Sequence, residues 1–372
     1  MAALRIGVNA LYLIPGGVGG TEIYLRHLLR ALAEVAPENE YLVFTNLETG
    51  RDLLPDHPAF VLKPQAVRAV NRPARILWEQ FRLPFAVRGV DVLLNAGFTA
   101  PVWAPCPQVT VFQDLQHKRR PGNFRWFDLP FWRLLLWVSA HRSQRLVASS
   151  QATRGDLLRY YGLPASRVTV AHLGADPAFF EIARRRNPQP YLLAVSTLHP
   201  HKNLDGLLRA YAEFRRTELR FRLVVAGMKG FFTAELEQLR TELALGDSVE
   251  FTGWIPREAL YDLYAGAWAF LYPSRFEGFG LPVVEAMAAG IPLACSRIEP
   301  LSSIAGDAAL QFDPNDVTSI VEAMRRVTLD EDLRACLSIA GPARAEPFRW
   351  ETTARLTLEA LHAAVEESRS RA

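Results

Sequence analysis

Two glutamates, Glu277 and Glu285, stand with seven residues between them in SRFEGFGLPVVEAMAAGIP, residues 274–292, directly after the apolar run AFLYP. Gly278 and Gly280 let the backbone approach a ligand closely. Pro282 suits a first helical turn, and Gly290 with Pro292 closes the helix. A helix N-terminus entered through such a loop is an anion site, because its free N–H groups and its dipole both face outward. Carboxylates beside a phosphate cradle are out of place unless they accept hydrogen bonds from hydroxyls. Hydroxyls on both sides of a phosphate describe a nucleotide-sugar; the plainer reading is a capped helix flanked by solvated glutamates.

A second cluster lies in STLHPHKNL, residues 196–204. Asn203 is expected to cap the helix that follows, which leaves His201 and Lys202 at its positive end. The dipole disfavours cations there, and a local conflict of that kind marks functional sites. The chain has 38 arginines and only four lysines. A compact ammonium at Lys202 suits a leaving diphosphate, the alternative being an exposed loop lysine. In VEFTGWIPREAL, Gly253, Trp254 and Ile255 precede a helix opened by Pro256. They either hold a nucleobase or, in the case of Trp254, pack as an ordinary apolar residue.

The N-terminal half has its own candidates. In PGGVGGTEIYLRHLL, Gly16, Gly17, Gly19 and Gly20 lead into a helix, again an anion-cradling arrangement. The run does not satisfy G-x-G-x-x-G, since Glu22 stands three residues after Gly19, so a dinucleotide-dependent oxidoreductase is disfavoured. In VFQDLQHKRR, Asp114 and His117 are the candidates for a base or an acceptor contact, or else a structural pair. Asp330, Glu331 and Asp332 spell D-x-D, but on a polar helix start with no strand before it, so no metal site is expected. FRWFDLPFWRLLLWVSAHR, residues 124–142, is aromatic, apolar and basic at once. It reads as a helix on a membrane surface or as one partly buried in the core.

The elements that must position these residues alternate from end to end. Val-, Leu- and Ile-rich runs at 5–10, 41–45, 90–95, 109–113, 145–150 and 168–172 form one set of strands. Runs at 191–197, 221–227, 249–253, 269–273 and 292–296 form a second, each followed by a helix start. Such alternation means an α/β fold with parallel sheets covered on both faces. The polar, proline-containing stretch 174–190 reads as an interdomain linker. Two Rossmann-like domains are therefore expected, 1–180 on the acceptor side and 188–345 holding the donor. The C-terminal helix within 346–372 is expected to pack back on the first of them.

Composition narrows the class. The 372 residues are 49% hydrophobic and 22% charged, as in ordinary globular proteins, and the net charge of +3 argues against a dedicated nucleic-acid binder. Charge is divided unevenly, +9 over residues 1–186 and −6 over 187–372. A basic first half suits an anionic membrane or a diphosphate-bearing acceptor, or is a chance split of exposed charge. Cys106, Cys295 and Cys336 are scattered and odd in number, which fits a reducing compartment. The opening MAALRIGVNALYL reads as a first strand and not as a signal peptide. The longest uncharged stretch, 92–113, is broken by three prolines. A cytoplasmic location, with peripheral attachment at the inner face of the membrane as the variant of it, is expected.

The order of these motifs resembles the retaining GT-B glycosyltransferases of family 4, the group with an E-x7-E signature. The resemblance spans nearly the whole chain. It runs from the Gly-rich loop through the strand ending at Asp114-Leu115, VASSQATRGDLLRYYGLPASRVTV, HKN, the Gly253 turn, EGFGLPVVEAMAAGIP and AGDAALQFDP to the closing FRWETTA helix. It implies two Rossmann-like domains facing each other across a cleft. By the same resemblance Glu285 binds ribose hydroxyls and Glu277 the hydroxyls of the transferred sugar. Phe279, Gly280 and Leu281 offer backbone N–H groups, and Lys202 neutralises the diphosphate without a required metal. His201 stands where the family commonly has arginine, and Gln113 where many relatives have histidine, which leaves His117 as the nearest imidazole. The implied reaction moves a hexose, mannose being slightly favoured, from a UDP- or GDP-sugar to a glycan or lipid-linked acceptor. A nucleotide-sugar epimerase of the same fold, or a nucleotide-sugar-binding subunit without turnover, are the alternatives.

Overall fold

The computed structural model of the chain describes residues 3–17 and 19–370. They divide into two compact units, one running to Leu173 and resuming at Trp350, the other spanning Gly174–Arg349.

The first unit is built on a parallel sheet. Its strands are β1 (Arg5–Asn9), β2 (Glu40–Thr45), β3 (Phe60–Pro64), β4 (Val92–Asn95), β5 (Gln108–Phe112), β6 (Arg145–Ala148) and β7 (Val168–Val170), in the order β3-β2-β1-β4-β5-β6-β7. The central strands are buried on both sides because helices cover both faces: β4 and β5 are buried at every position, their polar Asn95, Gln108 and Thr110 included. The helices are α1 (Gly20–Val35), α2 (Arg72–Phe81), α3 (Leu83–Ala86), α4 (Gln116–Arg119), α5 (Leu129–Arg142) and α6 (Gln151–Tyr161). Ser150 starts α6 by accepting the Thr153 N–H at 3.0 Å, and Gly162, left-handed, ends it. The C-terminal helix α15 (Trp350–Arg369) also lies in this unit, with Trp350 stacked on His27 of α1 at 5.1 Å.

The second unit holds α7 (Pro177–Arg184), β8 (Tyr191–Val195), α8 (Leu204–Arg215), β9 (Arg222–Ala226), α9 (Thr233–Glu242), β10 (Val249–Gly253), α10 (Arg257–Gly266) and β11 (Ala269–Tyr272). It continues with α11 (Leu281–Ala288), β12 (Leu293–Ser296), α12 (Leu301–Ala305), β13 (Leu310–Phe312), α13 (Val317–Leu329) and α14 (Glu331–Ala345). The sheet order is β10-β9-β8-β11-β12-β13, again parallel throughout. Its core is packed between the sheet and α8 and α13, with Tyr211, Phe214, Phe221 and Phe312 among its largest members.

Three expectations need correction. The stretch 174–190 carries α7: the Asp176 carboxylate accepts the Ala178 N–H at 3.0 Å, Pro177 opens the first turn, and Phe179 and Ile182 are buried. Its prolines mark a helix start, so the second unit begins at Gly174 and ends at Arg349. Strands β3 and β13 lie outside the runs expected as strands: β3 (FVLKP) ends in Lys63 and Pro64 with only Phe60 buried, and β13 (LQF) is three residues long. Asn203 does not cap α8 with its side chain. Its backbone is left-handed (φ 55°), and its buried amide donates to the carbonyls of Pro273 (3.0 Å) and Pro314 (2.7 Å).

Candidate functional site

In an open parallel sheet, ligands bind outside the carboxyl ends of the strands where the winding direction reverses. In the second unit that point lies between β8 and β11, since the chain leaves β8 toward β9 and leaves β11 toward β12. Lys202 comes from the loop after β8 and Glu277 from the loop after β11. The two loops are tied together by backbone: Arg275 N–H donates to the His201 carbonyl at 2.8 Å, next to the Asn203 amide bridge to Pro273. Sequence positions 75 apart thus meet by topology.

The meeting is close. Lys202 Nζ donates to Glu277 Oε1 at 2.7 Å and to the Tyr272 hydroxyl at 3.3 Å. Both charged side chains are largely buried, at 14% and 9% exposure. Burial pushes the Glu277 carboxyl up, but the Lys202 ammonium and its hydrogen bond, joined by the Ser274 hydroxyl and His201, outweigh burial and hold it below its ordinary value. A buried ion pair of this kind gives little net stability against an apolar pair. Its presence at a strand end is better explained by a ligand than by folding.

Glu285, on α11, is buried as well. Tyr264 donates to its Oε2 at 3.0 Å, and an Arg257 nitrogen lies 3.6 Å from its Oε1. Burial raises the Glu285 carboxyl above its usual value, with Arg257 and the Tyr264 hydroxyl acting in the opposite direction. Arg257 also lies 3.4 Å from Asp176 and donates to the Tyr261 hydroxyl at 3.0 Å. Oε1 is beyond hydrogen-bonding distance of Arg257, so it retains acceptor capacity.

Between the glutamates, Gly280 has φ +99° at the start of α11. A Cβ there would stand 2.2 Å from Leu301 Cδ2, and Leu301 is fully buried. Gly280→Ala is expected to cost about 1–3 kcal/mol of stability through overpacking and strain, and to weaken donor binding, as read by melting and by ligand titration. Phe279 is buried with its ring 5.9 Å from Phe348, so only its backbone is placed to meet a ligand; Gly278 and Leu281 are part-buried. Beyond β10, Trp254 is 67% exposed, which sets aside the packing reading, and Gly253 and Ile255 beside it are part-buried.

Two family profiles cover this architecture. "Glycosyl transferases group 1" matches residues 176–344 and "Glycosyltransferase Family 4" matches 18–179. The chain is 31% identical over 267 residues to O-antigen chain mannosyltransferase B of Escherichia coli, covering 68% of this chain and 69% of that protein. This chain is a group 1, family 4 glycosyltransferase. It is also 26% identical over 276 residues to O-antigen chain mannosyltransferase RfbU of Salmonella typhimurium, covering 72% of this chain and 76% of that one. Among solved structures, Anabaena HepE in complex with UDP and glucose shares the GT-B fold with TM-score 0.74 at 19% identity, over 96% of this chain and 99% of that one.

In this glycosyltransferase the candidates of the first unit are placed less simply. The Gly16 N–H donates to Glu22 Oε2 at 2.8 Å and the Gly17 N–H to the Ile14 carbonyl at 2.8 Å. Glu22, itself paired with Arg26 at 2.8 Å, already supplies a negative group to the start of α1, so the loop does not offer these two N–H groups freely as an anion cradle would. Asp114 is part-buried and accepts the Gln116 N–H at 2.8 Å. His117 is 2% exposed, with Nε2 2.8 Å from the Tyr161 hydroxyl. Burial, with Lys118 and Arg133 adding to it, pushes its imidazole down to about 4. It is neutral near pH 7 and packed inside the fold, which suits support of the loop after β5 better than direct contact with an acceptor. Asp330 caps α14 through the Leu333 N–H at 3.0 Å, and no group of three metal-ligating side chains occurs among the described residues.

Arg257 escaped the sequence reading, although its signal was present. It follows Pro256 at the first position of a helix, where the dipole disfavours a cation, as for Lys202. Tyr264 and Tyr272 gave no such signal, because each is a buried aromatic in an apolar run and only its hydroxyl reaches a charged side chain, Glu285 for the first and Lys202 for the second.

Proposed function

We propose that the chain moves a hexose, with mannose preferred, from a GDP- or UDP-sugar to a glycan or lipid-linked acceptor, with retention of configuration and without a required metal. The observation that carries this reading is the Lys202–Glu277 pair at the winding reversal, 2.7 Å apart. A leaving diphosphate needs a cation, and Lys202 supplies one in the place a metal takes in other transferases. Glu277 is ionised and oriented by that cation, ready to accept hydrogen bonds from sugar hydroxyls. Glu285 accepts those of the ribose, and the α11 N-terminus meets the phosphates through the N–H groups of residues 279–281. Trp254 presents an indole face to the base, and His201 adds its ring beside Lys202. The names of the O-antigen mannosyltransferase relatives support mannose and a glycan acceptor. Asp114 is the acceptor-side acid. The reaction is placed in the cytoplasm, at the inner face of the membrane.

The test is a panel of GDP- and UDP-sugars incubated with and without glycan or polyprenyl-linked acceptors. Release of nucleoside diphosphate that depends on acceptor is expected, with the anomeric configuration of the donor kept in the product. A new sugar epimer without acceptor identifies an epimerase, and tight binding without turnover identifies a binding subunit. Turnover is expected to survive EDTA; loss restored by Mg²⁺ contradicts the Lys202 role.

A further inference from the structure

Helix α5 is apolar on both of its faces, yet only one is covered. Leu135, Leu136, Ser139 and Ala140 are buried, Leu136 and Ala140 in the core that contains Phe112 and Leu157. Phe131, Leu134 and Trp137 are exposed at 49%, 62% and 44%. Their spacing of three places them on one stripe of the helix, opposite the buried stripe. Immediately before the helix, Trp126 is 84% exposed and Phe127 55%, edge to face at 5.8 Å. A helix that is hydrophobic all round is ordinarily buried all round, so this outer stripe is a surface in want of a partner.

Charge selects the partner. Residues 116–142 carry Lys118, Arg119, Arg120, Arg125, Arg133 and Arg142 against the single acid Asp128. A second copy docking by a two-fold axis sets the same patch against itself and opposes these cations to one another. An anionic lipid surface instead takes aromatic rings at the depth of its headgroups and pairs its phosphates with the flanking guanidinium groups. We infer that the outer stripe of α5, with Trp126 and Phe127, docks the protein peripherally on an anionic phospholipid membrane. A second exposed apolar cluster, Phe81, Phe85 and Trp103, belongs to the same unit; Arg88 lies 5.0 Å over the Phe85 ring. The loop that carries Trp103 is fastened to α5 by the Ala100 N–H, which donates to Ser139 Oγ at 3.0 Å. This inference deepens the lipid-linked part of the proposed acceptor but does not depend on the donor chemistry.

The test is co-sedimentation of the full chain with phosphatidylcholine vesicles, with and without added phosphatidylglycerol. Binding is expected only with the anionic lipid and is expected to fall about tenfold or more as ionic strength rises from low to high. The variant Trp126→Ser with Phe131→Ser and Trp137→Ser is expected to lose binding at least about tenfold. Arg125→Glu with Arg142→Glu, which leaves every apolar contact in place, is expected to lose binding to the anionic vesicles alike. Both variants are expected to melt like the wild type and to keep its turnover on a soluble acceptor, which separates this failure from failure of the donor reading. Absence of wild-type binding at low salt, or variants that bind as the wild type does, overturns the inference. So does a concentration-dependent dimer in sedimentation velocity that the serine variant abolishes.

Discussion

Lys202→Met is expected to slow donor turnover at least about tenfold, seen mainly in kcat, because a charged hydrogen bond worth ~1.5–3 kcal/mol is withdrawn from the departing diphosphate. The same substitution leaves Glu277 as a buried carboxylate without its partner, a change that typically costs about 3–5 kcal/mol. The pH dependence has a definite sign. In the wild type the Glu277 carboxyl is held below its ordinary value by Lys202, so its contribution is present near neutrality and lost only as pH falls through the depressed folded value. Without Lys202, burial prevails and the folded value rises above the unfolded one. The variant then takes up a proton on folding in mild acid. Its deficit in Tm relative to wild type is therefore expected to shrink from pH 7.5 toward pH 5. The double variant Lys202→Met with Glu277→Gln is expected to recover stability at neutral pH but not activity. Melting curves across pH and steady-state kinetics check both halves; a deficit that grows on acidification contradicts the assignment.

Glu285→Gln is expected to separate function from stability. Burial raises the Glu285 carboxyl, so the ionised form is less favourable in the folded chain than in the unfolded one, and near pH 7 the charge costs stability. A neutral amide of the same shape removes that cost. The Tyr264 hydroxyl, 3.0 Å away, can still donate to the amide oxygen, and Arg257 keeps Asp176 and Tyr261. The variant is expected to melt at or above the wild-type temperature. Its affinity for donor is expected to fall roughly ten- to hundredfold, because ribose hydroxyls lose a charged acceptor. A stabilised protein with a weakened ligand is the pattern of a residue kept for binding.

The candidate site is legible in the sequence because its residues are local to motifs. Glu277, Gly280 and Glu285 lie within one loop and one helix, and the conflict of Lys202 with the helix dipole shows in the chain itself. The parallel sheets follow from the alternation of Val-, Leu- and Ile-rich strands with helices, whereas β3, ending in Lys63 and Pro64, and the three-residue β13 do not show. The pairing of Lys202 with Glu277 depends on strand order, which no local pattern encodes. Arg257 and Tyr264 reach Glu285 from a different helix, α10, so their part is set by tertiary structure alone. In the N-terminal half the candidate groups have local partners that the sequence does not announce. Glu22 takes the Gly16 N–H that an anion was expected to take, and Tyr161 takes the His117 nitrogen that an acceptor was expected to meet. Asn203 shows the same limit: a capping residue type, placed to cap, donates instead to the carbonyls of Pro273 after β11 and Pro314 after β13.

The most direct measurement is calorimetric titration of GDP-mannose, UDP-glucose and the two free nucleoside diphosphates into the wild type and Glu285→Gln. Saturable binding of at least one nucleotide-sugar to the wild type is expected, weakened about tenfold or more in the variant at unchanged or higher Tm. Equal binding to both proteins, or no binding of any of the four ligands to the wild type, contradicts a donor site built on Glu285, Glu277 and Lys202.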